Sequence, residues 1–246
     1  MDDRRPTLAP AEPSPPADPS PSAALLVPLR RCAACLAVAS TVWALSGCSL
    51  FVMAGKMFFG DPEKTAAFRA VTDVDLAKGD KSVLIVATTP ESAKQAYSSV
   101  DVDIVERVGR ELRRKGVKVY PSKKVLDWVD RRGGQWGSPD EIAAEFDADY
   151  VIEIDVDRLS HREPHSPELY RGQAVGNVRA YEVVESGGGR VASPVFSREF
   201  TCTYPSHHPK QAHQISERTF QEEFLGRVCT HVAQLFYDHR ASETVH

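Results

Sequence analysis

An unbroken apolar run, Ser82-Val83-Leu84-Ile85-Val86-Ala87, is closed by Thr88-Thr89-Pro90. A short run of this kind, with no polar alternation, predicts a strand covered on both faces. Next, Ile104, Val105, Val108 and Leu112 recur at helical spacing, opposite Glu106, Arg110, Arg113 and Arg114. That is an amphipathic helix, and Gly116 is placed to end it in a left-handed conformation. Val117 to Tyr120 gives a second short strand, and Ser122 starts a helix with Val125, Leu126, Trp128 and Val129 on its apolar face. Gly133-Gly134 breaks that helix. Ser138-Pro139-Asp140-Glu141 starts another, with a capping Ser, Pro in the first turn and Glu three positions after the Ser.

The pattern then changes period. Tyr150, Ile152, Ile154 and Val156 alternate with Glu153, Asp155 and Asp157, which predicts a strand buried on one face only. Arg171 to Val184 reads as a second strand, with Gly172, Ala174, Gly176 and Ala180 on one face and Arg171, Gln173, Asn177 and Arg179 on the other. Three consecutive glycines between Glu185 and Arg190 predict a hairpin. Val191 to Tyr204 returns with Phe196, Phe200, Cys202 and Tyr204 inward, and Phe220, Phe224, Val228, Leu235 and Phe236 mark a closing helix. The expected fold is α/β (α+β). It is one domain over 81–240, in which a βαβαα half precedes an antiparallel three-strand meander and a C-terminal helix. Residues 48–80 are expected as a tether carrying the apolar anchors Phe68, Val71, Val74 and Leu76, and 241–246 as a disordered tail.

The first part of the chain follows different rules. Residues 1–29 are rich in Pro, Ala and Ser and lack the apolar content that offsets ordering entropy, so they are expected to be disordered. Residues 30–47 begin with Arg30-Arg31, continue as an uncharged apolar run and end at Leu45-Ser46-Gly47, directly before Cys48. A basic end, an apolar middle and a small-residue cleavage site make a secretory signal. With a cysteine after the small pair, the segment resembles a bacterial lipobox. That resemblance implies cleavage before Cys48, acylation of its thiol and attachment of the mature chain to a membrane. The alternative is one uncleaved transmembrane anchor over 32–55, because about twenty apolar residues span a hydrocarbon core. Both readings keep the arginines inside and place the domain outside the cytoplasm. By resemblance to better-known bacteria, Ser49 rather than Asp after the cysteine points to the outer membrane.

Net charge is -4, and no basic stripe interleaved with aromatics is present, so nucleic acid is not an expected partner. The basic cluster Arg110, Arg113, Arg114, Lys115 and Lys118 shares its helix with Glu106 and Glu111 and reads as a solvated face. Cys32 and Cys35 would leave with the signal. Cys202 and Cys229 are expected as two buried free thiols in preference to a disulfide.

Three groups carry candidate chemistry. Glu153, Asp155 and Asp157 form a carboxylate row, but side chains two apart on a strand are nearly 7 Å apart, roughly twice the rise per residue. Pairing with Arg171 and Arg179 of the next strand is therefore favoured over a metal site. His161, Glu163 and His165, with His207 and His208 in a second Pro-bearing loop, are the candidate metal ligands. Trp136 lies in a glycine-rich loop, where an exposed aromatic can anchor a partner. No catalytic constellation is recognisable, and no cofactor is expected.

With these elements in place, the chain resembles two groups of proteins. Its element order, with Ala148-Asp149-Tyr150-Val151-Ile152 leading into the meander, resembles envelope lipoproteins of the TolB amino-terminal-domain type, the group of LpoB and CsgG. Met57-Phe58-Phe59-Gly60-Asp61-Pro62, Trp128-Val129-Asp130, Leu169-Tyr170-Arg171-Gly172 and Phe236-Tyr237-Asp238-His239-Arg240 are similar to uncharacterised planctomycete lipoproteins. The resemblance implies a lipid-anchored, non-enzymatic accessory module that binds another envelope component. The alternative is a metal-binding protein or metal-dependent enzyme built on the histidines. Secretion-pore activity of the CsgG kind is not implied, because Arg198 and Glu199 interrupt the strand that a membrane-crossing hairpin would need.

Overall fold

A computed structural model describes residues 61–97 and 99–244. The leader, the signal segment and Cys48 lie outside these residues. A six-stranded mixed sheet forms the centre of the domain. Strand β2 (Ser82–Thr88) runs parallel to β3 (Lys118–Val119) on one side and to β4 (Tyr150–Glu163) on the other. Strands β4, β5 (Ser166–Ser186) and β6 (Gly189–Tyr204) continue as the antiparallel meander, and β7 (Lys210–Gln211) pairs with the start of β5.

Why β2 is apolar throughout is now visible. Val83 and Ile85 point into a large core against α3 (Val100–Arg114) and α6 (Glu217–Ala233). Leu84 and Val86 point into a smaller core under α4 (Ser122–Arg131) and α5 (Pro139–Glu145). A strand with helices on both faces has no polar side to show. The sheet's second half is covered on one face only, so β5 alternates: Gly172, Ala174, Gly176, Val178 and Ala180 are buried, while Arg171, Gln173, Asn177 and Arg179 are partly exposed.

The small residues of that buried row are required by aromatic packing. A Cβ on Gly172 would lie 2.4 Å from the Phe224 ring, and one on Gly176 would lie 2.3 Å from the Asp155 carbonyl oxygen. Phe200 and Phe224 therefore lie close against the strand, and Phe220 stacks on Tyr170 at 5.2 Å. At the β5–β6 hairpin, Ser186 faces Gly189 across a two-residue turn in which Gly187 and Gly188 have φ of 60° and 87°. Both turn positions are left-handed, as the twist-matching tight hairpin demands.

Residues 61–80 do not form a tether. Strand β1 (Glu63–Lys64) pairs antiparallel with β8 (His239–Arg240), and α1 (Ala67–Thr72) inserts Phe68, which is completely buried. The Phe68 ring sits 5.6 Å from Tyr150, 5.8 Å from Phe196 and 5.6 Å from Phe236. Leu76 is also buried, but Val71, expected as an anchor, is 66% exposed. The folded unit thus includes the residues from Asp61 on, and 241–243, expected as tail, form a 3-10 turn in which the Ser242 N–H donates to Asp61. The two ends are joined because the segment's few apolar residues have no complete helical face and find burial only in the closed core.

Other departures are local. Short helix α2 (Glu91–Ala96) precedes α3, whose apolar face is as expected. Helix α6 stops at Ala233, leaving Leu235 and Phe236 in the following turn. Ser216 caps α6 by accepting from the Thr219 N–H at 3.1 Å, whereas Ser138 makes no such bond at α5. There, Glu141 instead accepts from the Gly137 N–H at 3.3 Å.

Candidate functional sites

A small apolar crevice of about 110 Å³ lies between β2, α3 and α4. The chain leaves β2 towards α3 on one face of the sheet and leaves β3 towards α4 on the other. Such a reversal opens a gap beside the strand ends, where α/β sheets commonly bind ligands. Val105, Val125 and Val129 line the gap, and Trp136 stands at its mouth. Trp136 is half-buried and packs on the smaller core, so it is neither a free surface aromatic nor a core residue. Lys94 and Asp101 form a 3.4 Å ion pair at the rim. The charge of Asp101 is the main reason the Lys94 ammonium titrates above its ordinary value. Trp128, by contrast, is 4% exposed and belongs to the core, with the Arg132 guanidinium 4.3 Å over its ring.

The carboxylate row is an ion-pair ladder. Register places Glu153 directly opposite Arg179, which donates to Glu153 at 3.0 Å and to Asp155 at 3.4 Å. The Tyr181 hydroxyl donates to the same Glu153 oxygen at 2.9 Å. Asp157 falls at a bulge between Val156 and Arg158 and is exposed, outside the ladder. Arg171, the other expected partner, lies 3.6 Å from Glu163 instead.

The histidines do not converge. His161 lies within β4, not in a loop, and is 7% exposed. Its Nε2 is 2.5 Å from Glu217 and 3.4 Å from Gln221, with its ring edge-on to Tyr97 at 5.4 Å. Arg162 donates to the second Glu217 oxygen at 2.6 Å. The bond with His161, with the nearby Arg162 charge, holds the Glu217 carboxyl below the usual carboxylate range against the opposing effect of burial. This arrangement locks the start of α6 onto the sheet. His165 occupies the β4–β5 turn with φ of 62°, while His207 and His208 are exposed after β6. Among the described residues, no three His, Cys, Asp or Glu side chains form a group that could hold a metal ion. The metal reading rested on a loop around His161. The strand runs on past the bulge after Val156, which shifts the alternation and turns His161 inward, while its proposed co-ligands stay apart.

Cys202 and Cys229 are free, buried thiols. Burial pushes the Cys229 thiol up to about 12, so it is no nucleophile at neutral pH. No helix among the described residues is long and apolar enough to cross a membrane. Sequence reasoning missed the crevice, because its walls come from three separated elements. It also missed the His161–Glu217 contact, because the bulges after Val156 hide the strand's alternation.

No family model and no curated protein matches the chain. Among solved structures, a lipoprotein from Neisseria meningitidis is similar at 12% identity and a TM-score of 0.37, over 58% of this chain and 92% of that one. A hypothetical protein from Chlamydia trachomatis is similar at 12% identity and a TM-score of 0.40, over 64% and 98%. A PelC dodecamer from Paraburkholderia phytofirmans is similar at 14% identity and a TM-score of 0.31, over 72% and 97%.

Proposed function

We propose that the chain is a lipid-anchored envelope protein, acylated at Cys48, whose domain binds another envelope component without catalysing a reaction. The observation that carries this reading is Leu45-Ser46-Gly47-Cys48 behind Arg30-Arg31 and an uncharged run, with the domain starting thirteen positions after the cysteine. Thirteen residues reach at most about 45 Å, so an acylated Cys48 holds the domain close to the bilayer surface. The likeness to TolB-type and planctomycete lipoproteins in element order and motifs supports the same reading, as does Ser49 for the outer membrane. The crevice under Trp136 is the proposed partner contact, because a rigid aromatic beside a gap can receive an apolar side chain.

The test is the mass of the mature amino terminus from native membranes, for the wild type and for Cys48→Ala. An acylated Cys48 peptide in the wild type, missing in the variant, is expected. An intact leader in both would replace the lipid with the 32–55 anchor. Trp136→Ala is expected to remain folded and to lose the partner in a pull-down; a folded variant that retains every partner refutes the contact.

A further inference from the structure

We infer that a groove between α3 and α6 binds the phosphate of an anionic phospholipid headgroup, from the membrane that carries the anchor. This inference rests on the lipid-anchor reading. The groove has a volume of about 320 Å³, and Arg107, Arg110 and Arg114 line it from α3. Gly226, Cys229 and Thr230 line it from α6, and Glu111 is its one acid. Residues at i, i+3 and i+7 share a helix face, so the three guanidinium groups form a row.

Their pairing is incomplete. Glu111 neutralises Arg114 at 3.0 Å and accepts from the Tyr237 hydroxyl at 3.4 Å. Among the described residues, Arg107 donates to the Glu222 backbone carbonyl alone, at 3.4 Å. Arg107 and Arg110 have no carboxylate partner among the described residues. Cations in the last turn of a helix are explained by its dipole. Arg107 and Arg110 stand before that turn, where the dipole's effect has fallen off. A guanidinium row presents the forked donors that suit phosphate oxygens.

The position of the groove selects the source of that phosphate. Lys115, next to Arg114, contacts Glu243 at 3.0 Å. The Ala241 N–H donates to the Pro62 carbonyl, and the Ser242 N–H to Asp61. The basic end of α3 is therefore built onto the place where the chain arrives from Cys48. This end is where the chain enters the domain, thirteen positions after Cys48, and so lies within reach of an anchored lipid surface.

The experiment uses the full chain from native membranes, reconstituted in phosphatidylcholine vesicles with or without phosphatidylglycerol. Phenylglyoxal modification is followed by peptide mass spectrometry at Arg107 and Arg110. Exposed Arg131, on α4 across the sheet, is the internal reference. Modification of the groove arginines is expected to slow roughly fivefold relative to Arg131 in anionic vesicles at low salt, and to recover in high salt. Equal rates in both lipids overturn the inference. So does equal protection by inorganic phosphate added to phosphatidylcholine vesicles, which would mark a free-anion site. The Cys48 peptide is weighed in the same sample. Acylated Cys48 with equal rates removes the groove alone. Unacylated Cys48 with slowed groove arginines removes the anchor reading and keeps the groove.

Discussion

Asp149 shows how much one side chain can organise at a strand end. Its carboxylate accepts from the Ser82 N–H at 2.8 Å, the Ser82 hydroxyl at 2.9 Å and Lys81 at 3.1 Å. Burial raises its pKa, but these donors outweigh burial and the net shift is downward. A depressed folded pKa stabilises the fold at pH values above the unfolded carboxylate pKa of about 3.9, and the contribution is lost as pH falls through the lower folded value. Asp149→Ala is expected to cost about 1–2 kcal/mol at neutral pH, a penalty that shrinks in acid; urea titrations at pH 7 and pH 3 check this. Gly172→Ala places a methyl group in the Phe224 ring, and a loss of about 1–3 kcal/mol is expected in the same titration. In the mature protein, Cys202 and Cys229 are expected to resist a thiol reagent until denaturant is added. Rapid labelling of either in native conditions would contradict the burial.

Among the elements, the segment before β2 gives the largest departure from expectation. Helix α1 is six residues long and has one fully buried side chain, so nothing in its periodicity announces a core element. Its worth comes from Phe68, fully enclosed among Tyr150, Phe196 and Phe236. Phe68→Ala is expected to cost about 3–5 kcal/mol, measured by thermal or urea unfolding, where a tether residue would cost nothing. Strand β6 shows how the open sheet edge is protected. Arg198 is on the core-side face of β6 between Phe196 and Phe200, yet it is exposed. Pro194 also removes an N–H from the strand. A core-side charge and a proline are devices that discourage edge pairing with another chain.

At the scale of the whole domain, the two ends are tied together at one place. β1 pairs with β8, Asp238 bonds to Arg69 and to the Ala66 N–H, and Lys115 of α3 contacts Glu243. The chain arriving from Cys48 thus meets both its own C-terminal segment and the basic end of α3. The Trp136 crevice draws on the first turns of α3, from Asp101 to Val105, and the arginine row on its later turns, from Arg107 to Arg114.

Much of the architecture was legible in the sequence. The unbroken Val83–Ala87 run, the helical spacing of Ile104 to Leu112, and the alternation of Tyr150 to Val156 each report burial directly, because local periodicity records which faces meet water. The small-residue row of β5 and the Gly187-Gly188 turn were legible for the same reason. The resemblance of Leu45-Ser46-Gly47-Cys48 to a lipobox is a local pattern, and it lies outside the described residues. Only tertiary structure decided the rest. It set Phe68 in the core, turned His161 inward past the bulge after Val156, assembled the crevice from β2, α3 and α4, and set the arginine row of α3 against α6. Each of these depends on contacts between residues distant in the chain, and sequence periodicity carries no information about which distant faces will meet.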